Sequence, residues 1–227
     1  MIIAKLAYII VIAYLLGSIP FGVIISRYQA KKNVLEYGSG KTGATNVLRT
    51  AGTRAALLVL AGDLLKGVLS VVIAGAVFGN ELLIIGNFGL GTLIAQVAAA
   101  LAAIAGHNWS IFLKFKGGRG VSTFFGGLVA LCPPAALIGG EVLIVSAGLT
   151  RYASLGSILG ITTAYLTLVP LTLIYKFPIE YLFYALIGGL IIIVMHKDNI
   201  ARLVNGTERK LGQRGELVRP SPERAKV

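Results

Sequence analysis

Charge is scarce in this chain and negative charge scarcest: nine Asp and Glu stand against 21 Lys and Arg, together 13% of 227 residues. Soluble domains carry about 25%, so a surface bathed by water on every side is excluded. A single cysteine, Cys132, lies inside an apolar stretch, which rules out an internal disulfide and leaves no thiol spacing for a metal. There are two histidines, His107 and His196, and no carboxylate cluster at ligand spacing, so no catalytic metal and no cofactor are expected. The chain lacks a Gly-x-Ser-x-Gly elbow and a His-x4-Asp pair, which argues against a serine nucleophile and against His/Asp acyl transfer. No internal repeat is visible.

What is abundant is oil. With 56% hydrophobic residues and a mean hydropathy of +0.83, the chain falls in the polytopic membrane class. A helix needs about 20 apolar residues to cross a bilayer. The windows 2–26, 55–79, 82–106, 121–132, 134–150, 155–175 and 179–195 are candidates, the fourth short unless tilted, with Pro133-Pro134 turning the chain after it. The first is read as a retained span, because no small-x-small cleavage pattern follows it. These windows predict an all-α, polytopic transmembrane helix bundle of about seven spans, residues 1–212 forming one membrane domain and 213–227 a basic, disordered tail. Placing the N-terminus outside and the C-terminus in the cytoplasm leaves only Lys5 and Lys176 of the 21 basic residues on the outer face. The net charge of +12 is therefore read as topology and attraction for anionic lipid or substrate, with no nucleic-acid partner.

Polar chemistry interrupts the oil in a few places on one expected face. Gly38-Ser39-Gly40-Lys41-Thr42-Gly43-Ala44-Thr45-Asn46 contains Gly-Lys-Thr, but Leu35 stands where a Walker loop needs its first glycine, so an NTPase is set aside. Glycines still let backbone N–H groups converge on phosphate oxygens, and Ser39, Thr42, Thr45 and Asn46 add side-chain donors. Phe115-Lys116-Gly117-Gly118-Arg119-Gly120 repeats the logic just before an apolar helix, whose N-terminal dipole adds to two cations. Ser18 and Arg27 bracket the inner part of the first span; Asp63 and Lys66, three apart, are spaced to pair on one helix face. His107 is read as an interfacial anchor or a functional group. His196, with Asn199 one turn away and Arg202, Glu208 and Lys210 following, brings imidazole, amide and guanidinium within reach of one point. A transporter of phosphate-bearing solutes would want polar residues near mid-bilayer and inverted halves, whereas these gather on one face.

Together these segments resemble the bacterial acyl-phosphate:glycerol-3-phosphate acyltransferases, the integral membrane PlsY family. The resemblance runs through Gly17-Ser18-Ile19-Pro20 with Arg27, through Gly38 to Asn46 with Asp63-x-x-Lys66-Gly67, through Gly106-His107 to Phe115-Lys116-Gly117-Gly118, and through His196-x-x-Asn199 to Glu208-x-Lys210. Lys41, Ser110 and Arg119 depart from the family, which usually has Asn, Pro and Lys there. The resemblance implies transfer of a fatty acyl group from acyl phosphate to the sn-1 hydroxyl of glycerol 3-phosphate, giving lysophosphatidic acid and phosphate, the first step of bacterial phospholipid synthesis. It also implies a multi-pass protein of the bacterial inner membrane with its site at the cytoplasmic face, fed by an enzyme that produces acyl phosphate. By analogy Arg27, Gly38, Ser39, Gly40, Gly43, Thr45 and Asn46 take a substrate phosphate, and Lys116, Gly117 and Gly118 the second phosphate or the developing oxyanion. Ser18, Ser154, His196 and Asn199 would orient hydroxyl and leaving group, with Asp63, Lys66 and Glu208 structural. The proton acceptor is a substrate phosphate oxygen or His196.

Overall fold

The computed structural model describes residues 2–85 and 88–217, and helices dominate it. In chain order they are α1 (Ile2–Ser18), α2 (Phe21–Ala30), α3 (Ala44–Ala51), α4 (Thr53–Phe78), α5 (Thr92–Asn108), α6 (Val121–Leu131), α7 (Pro133–Thr150), α8 (Ala153–Leu173), α9 (Ile179–Met195) and α10 (Lys197–Val204). Among the described residues five stretches are long and apolar enough to cross a membrane, beginning with the nearly continuous α1–α2. A sixth arises if α9 and α10, bent by 62° at His196, count as one, and α6 is an eleven-residue apolar helix.

The third window differs from expectation. Its start holds a small antiparallel strand pair, β1 (Leu83–Ile85) with β2 (Phe88–Leu90), and α5 begins only at Thr92 after Gly91. An apolar run read by hydropathy alone does not distinguish strand from helix; β-branched Ile84 and Ile85 suit a strand, and Gly89 and Gly91 weaken a helix interior. Pro133 and Pro134 do not themselves form the tight turn expected after the fourth window; they are the first residues of α7, where a missing N–H costs no helical bond, and Cys132 alone separates α7 from α6.

Helix pairing relies on small residues, as expected where lipid offers no hydrophobic drive. A Cβ on Gly17 would collide with the Ala103 carbonyl across α1 and α5, and one on Gly126 with the Leu64 carbonyl across α4 and α6. Phe124 and Tyr184 stack with centroids 5.3 Å apart at the centre, and the buried Tyr184 hydroxyl is satisfied by donating to the Phe124 carbonyl at 2.9 Å. The 213–227 tail is described as far as Leu217, which bridges to Tyr37, while the Gly215 N–H donates to the Arg49 carbonyl; 218–227 lie outside the described residues.

Candidate functional site

The starts of α3, α6, α8 and α10 line one cleft of about 670 Å³. Their N-caps, Gly43, Gly120, Tyr152 and His196, make no side-chain capping bond, so first-turn N–H groups remain available at each. Each start carries roughly +0.5 of an elementary charge, and together they favour an anion before any side chain is counted.

Side chains reinforce this. Lys41, Arg49, Arg119 and Arg209 line the same end of the cleft. Among the described residues Lys41, Arg49 and Arg119 form no salt bridge. Burial lowers the Lys41 ammonium below its usual range, with Arg119 adding to it. Burial and then Arg209 lower the Arg49 guanidinium. Arg119 is pushed down to about 10, first by burial; Glu208 opposes the shift, while Arg202 and Arg49 increase it. Burial is the main cause in each case, and Asp198 or Glu208 only partly offsets the repulsion among these cations.

Glu208 organises the facing wall. Its Oε1 accepts from Ser154 Oγ at 3.0 Å and Asn199 Nδ2 at 2.6 Å, and its Oε2 from Arg202 Nε at 2.7 Å. Burial would raise this carboxyl, but donation from Asn199, Arg202 and Ser154 outweighs it and holds Glu208 below the usual carboxylate range. Asn199 Oδ1 is buried without a partner. His196 Nδ1 lies 2.8 Å from the Ile192 carbonyl. A carbonyl only accepts, so that nitrogen carries the proton and Nε2 of a neutral ring is the acceptor.

Of the residues expected from the sequence, Ser39, Gly43, Thr45, Asn46, Asp63, Ser154, His196, Asn199 and Glu208 line the cleft. The manner differs for the glycine loop. Gly38 and Gly40 adopt φ of 58° and 63°, which glycine permits, but their amides are engaged by the Glu216 and Tyr37 carbonyls. Asn46 spends its side chain on the loop itself: Nδ2 donates to the carbonyls of Val34, Tyr37 and Lys41, and Oδ1 accepts from Ser39 N–H at 3.0 Å. The loop thus offers the cleft Ser39, Lys41, Thr45 and the start of α3, while Gly38, Gly40 and Asn46 shape it.

Other expected residues stand apart from the lining. Arg27 and Lys116 are exposed, and Ser18 is buried away from the lining with an unpartnered Oγ. Gly117 and Gly118 back onto His107, and the Gly118 N–H donates to the His107 carbonyl at 3.0 Å, so it is not free for an oxyanion. Asp63 and Lys66 do pair, at 2.8 Å. Conversely, sequence reasoning placed neither Arg49 nor Ser122 nor Arg209 in the site. Arg49 lies four residues after Thr45 on α3, a spacing that puts both on one face and would have revealed it.

Below the charged end the cleft turns apolar, walled by Leu57, Leu60, Phe125, Val129, Leu137 and Ile144. Leu57, Leu137 and Ile144 are 58%, 72% and 70% exposed, so this part opens sideways toward lipid. The arrangement suits a molecule with an anionic head and a hydrocarbon tail.

Comparison with known proteins agrees. The family model described as glycerol-3-phosphate acyltransferase matches residues 7–206. Glycerol-3-phosphate acyltransferase 3 of Dehalococcoides mccartyi is 58% identical over 214 residues, covering 94% of this chain and 99% of that protein. The glycerol-3-phosphate acyltransferase of Halalkalibacterium halodurans is 40% identical over 215 residues, covering 94% and 100%. The crystal structure of PlsY (YgiH), an integral membrane glycerol 3-phosphate acyltransferase, in its glycerol 3-phosphate form superposes with a TM-score of 0.78 at 35% identity, covering 91% of this chain and 96% of that one. Its lysophosphatidic acid form gives a TM-score of 0.76.

Proposed function

Because this chain belongs to the integral membrane glycerol-3-phosphate acyltransferase (PlsY) family, we propose that its cleft transfers a fatty acyl group from acyl phosphate to the sn-1 hydroxyl of glycerol 3-phosphate. The observation that carries this is a set of cations that form no salt bridge among the described residues, Lys41 just before α3, Arg49 in its last turn and Arg119 just before α6, gathered where an apolar groove open to lipid ends. Two phosphates held close together repel, and this density of positive charge offsets that repulsion. The acyl chain lies along the groove between α4, α6 and α7.

In the reaction the substrate hydroxyl oxygen attacks the carbonyl carbon of the acyl phosphate. The carbon–oxygen bond to phosphorus-bound oxygen breaks, and phosphate departs with the electron pair. Acyl phosphate is an activated anhydride, so the residues of the cleft need only position and neutralise. Asn199 Oδ1 and His196 Nε2 accept from the glycerol hydroxyls and orient them. A phosphate oxygen of the substrates takes the hydroxyl proton. Ser154, donating to Glu208, fixes the geometry of the wall against which the glycerol packs.

We place the site at the cytoplasmic face of a bacterial inner membrane, with the N-terminus outside, because that orientation collects all basic residues except Lys5 and Lys176 on the inner side. The supplier of the donor is an enzyme that makes acyl phosphate. The decisive assay uses purified protein in detergent with glycerol 3-phosphate and acyl phosphate, without metal or coenzyme A. Lysophosphatidic acid acylated at sn-1, with one phosphate released per turnover, is the expected product. Turnover only with an acyl thioester would overturn the choice of donor.

A further inference from the structure

His107 is a largely buried imidazole at the edge of the cleft that the reaction above does not use. Its Nδ1 lies 3.4 Å from Asp63 Oδ1, and the same oxygen lies 2.8 Å from Lys66 Nζ, which also donates to the Ile19 carbonyl at 3.3 Å. The other side of the ring faces Gly118 so closely that a Cβ there would overlap Nε2, while a Cβ on Gly117 would overlap the His107 carbonyl. That carbonyl accepts the Gly118 N–H. The segment from Lys114 to Gly120 needs such support, since Lys114, Phe115 and Gly120 all have positive φ, an uncommon backbone for the first two. Arg119 follows Gly118 directly. It lines the cleft with its Nε buried and unpartnered, and among the described residues no salt bridge holds its guanidinium in place.

We propose that Asp63 and His107 form a positioning pair that sets the Gly117–Gly118 backbone and thereby aims Arg119 at a substrate phosphate. The pair acts from beneath the loop and takes no proton from the substrate: one imidazole nitrogen faces Asp63, and the other is covered by Gly118. The two glycines are there because the ring and the carbonyl of His107 occupy the space a side chain would need. This inference rests on the reading of Arg119 as a phosphate ligand.

The test is a double-mutant cycle on the full-length protein in detergent, with His107→Gln, Arg119→Gln and the combination, thermal melting confirming that each is folded. Misplacing a binding group by about 1 Å costs up to about 10²-fold. His107→Gln is expected to raise the KM for glycerol 3-phosphate or acyl phosphate, and to weaken inhibition by inorganic phosphate, more than it lowers kcat. In the Arg119→Gln background the same change is expected to add less than about twofold, because its target is gone. Asp63→Asn and Gly118→Ala, which disturb the brace from either side, should show the same pattern and serve if His107→Gln does not fold. Independent, multiplying effects of His107 and Arg119, or a fall in kcat at unchanged KM and unchanged phosphate inhibition, would overturn the positioning role. If Arg119→Gln alone leaves KM and phosphate inhibition untouched, the assignment of Arg119 fails and this inference with it.

Discussion

Asn199 gives a hydrogen to Glu208 at 2.6 Å while its own carbonyl oxygen stays buried and unpartnered. The amide is thus locked in one orientation by a residue nine positions away, and the locked orientation presents an acceptor. Replacing Glu208 by Gln puts an N–H group against Arg202 or against the Ser154 and Asn199 donors, whichever way it turns. A lost charge-assisted bond is worth about 1.5–3 kcal/mol, so Glu208→Gln should lower the melting temperature measurably and reduce turnover together with it.

The same carboxylate sets an acid limit. Glu208 is held below its ordinary 4.5, so the folded state binds its proton less readily than the unfolded chain. Its contribution is present at pH values above that ordinary value and disappears as the pH falls through the lower, folded one. Melting followed from pH 7 downward should show stability declining below about pH 4.5 in the wild type, with a shallower decline in Glu208→Gln.

Arg119 predicts the opposite coupling. Its guanidinium is pushed down to about 10 by burial and by neighbouring cations, so at neutral pH its charge is carried at a cost to the fold. That cost is fully present below about pH 10 and fades as the pH rises from there toward the unfolded value. Arg119→Gln should therefore raise the melting temperature by about 2–4 °C, the shift that ~1 kcal/mol produces in a chain of this size. It should also lower kcat/KM by about 10²-fold, the scale of removing one preorganised charge contact. Inorganic phosphate, which binds only the folded site, should stabilise the wild type more than the variant.

His196 separates orientation from proton transfer. Its Nδ1 hydrogen is committed to the Ile192 carbonyl, so Nε2 can accept from a hydroxyl. His196→Gln retains a polar group of similar reach but no base of comparable strength. If a substrate phosphate takes the proton, this variant keeps most of its turnover while His196→Ala loses it. A drop of about 10²–10⁴-fold in His196→Gln, the usual yield of general base catalysis, would identify the imidazole as the acceptor.

Much of this was legible in the chain because polar residues are costly in oil and stand out there. The segments around Asn46 and His196, which line the cleft, stand out in the sequence as clusters of glycine, hydrogen-bonding and charged residues, and Asp63 and Lys66 could be read as a pair from their spacing. What could not be read was where backbone donors would go. Gly38 looks like a phosphate cradle until its amide is found on Glu216, at the far end of the chain, and Gly118 likewise until His107 is found beneath it. Such choices are made by tertiary partners with no fixed sequence separation. Hydropathy also assigned 82–91 to a span, because apolar strands and apolar helices share the same average.

The groove offers a test of the acyl chain's path. On α7 the residues Ala136, Gly140, Leu143, Ile144 and Ala147 line the cleft, a helical stripe, whereas Gly139 on the other face packs so tightly that an added Cβ would sit 2.6 Å from the Gly160 carbonyl. At Gly140 an added Cβ meets nothing within 4 Å. Gly140→Leu should therefore fold normally yet put a branched side chain into the space assigned to the tail, and Gly139→Leu should disrupt the pairing of α7 with α8. Excluding even one methylene from an apolar pocket costs about 1–3 kcal/mol, so turnover of a long-chain acyl phosphate by Gly140→Leu should fall at least about tenfold. A short-chain donor whose tail ends nearer Ala147 should be used almost as before. Equal loss for both lengths would mean that the hydrocarbon does not run past Gly140 and that the lipid-facing opening of the cleft serves another purpose.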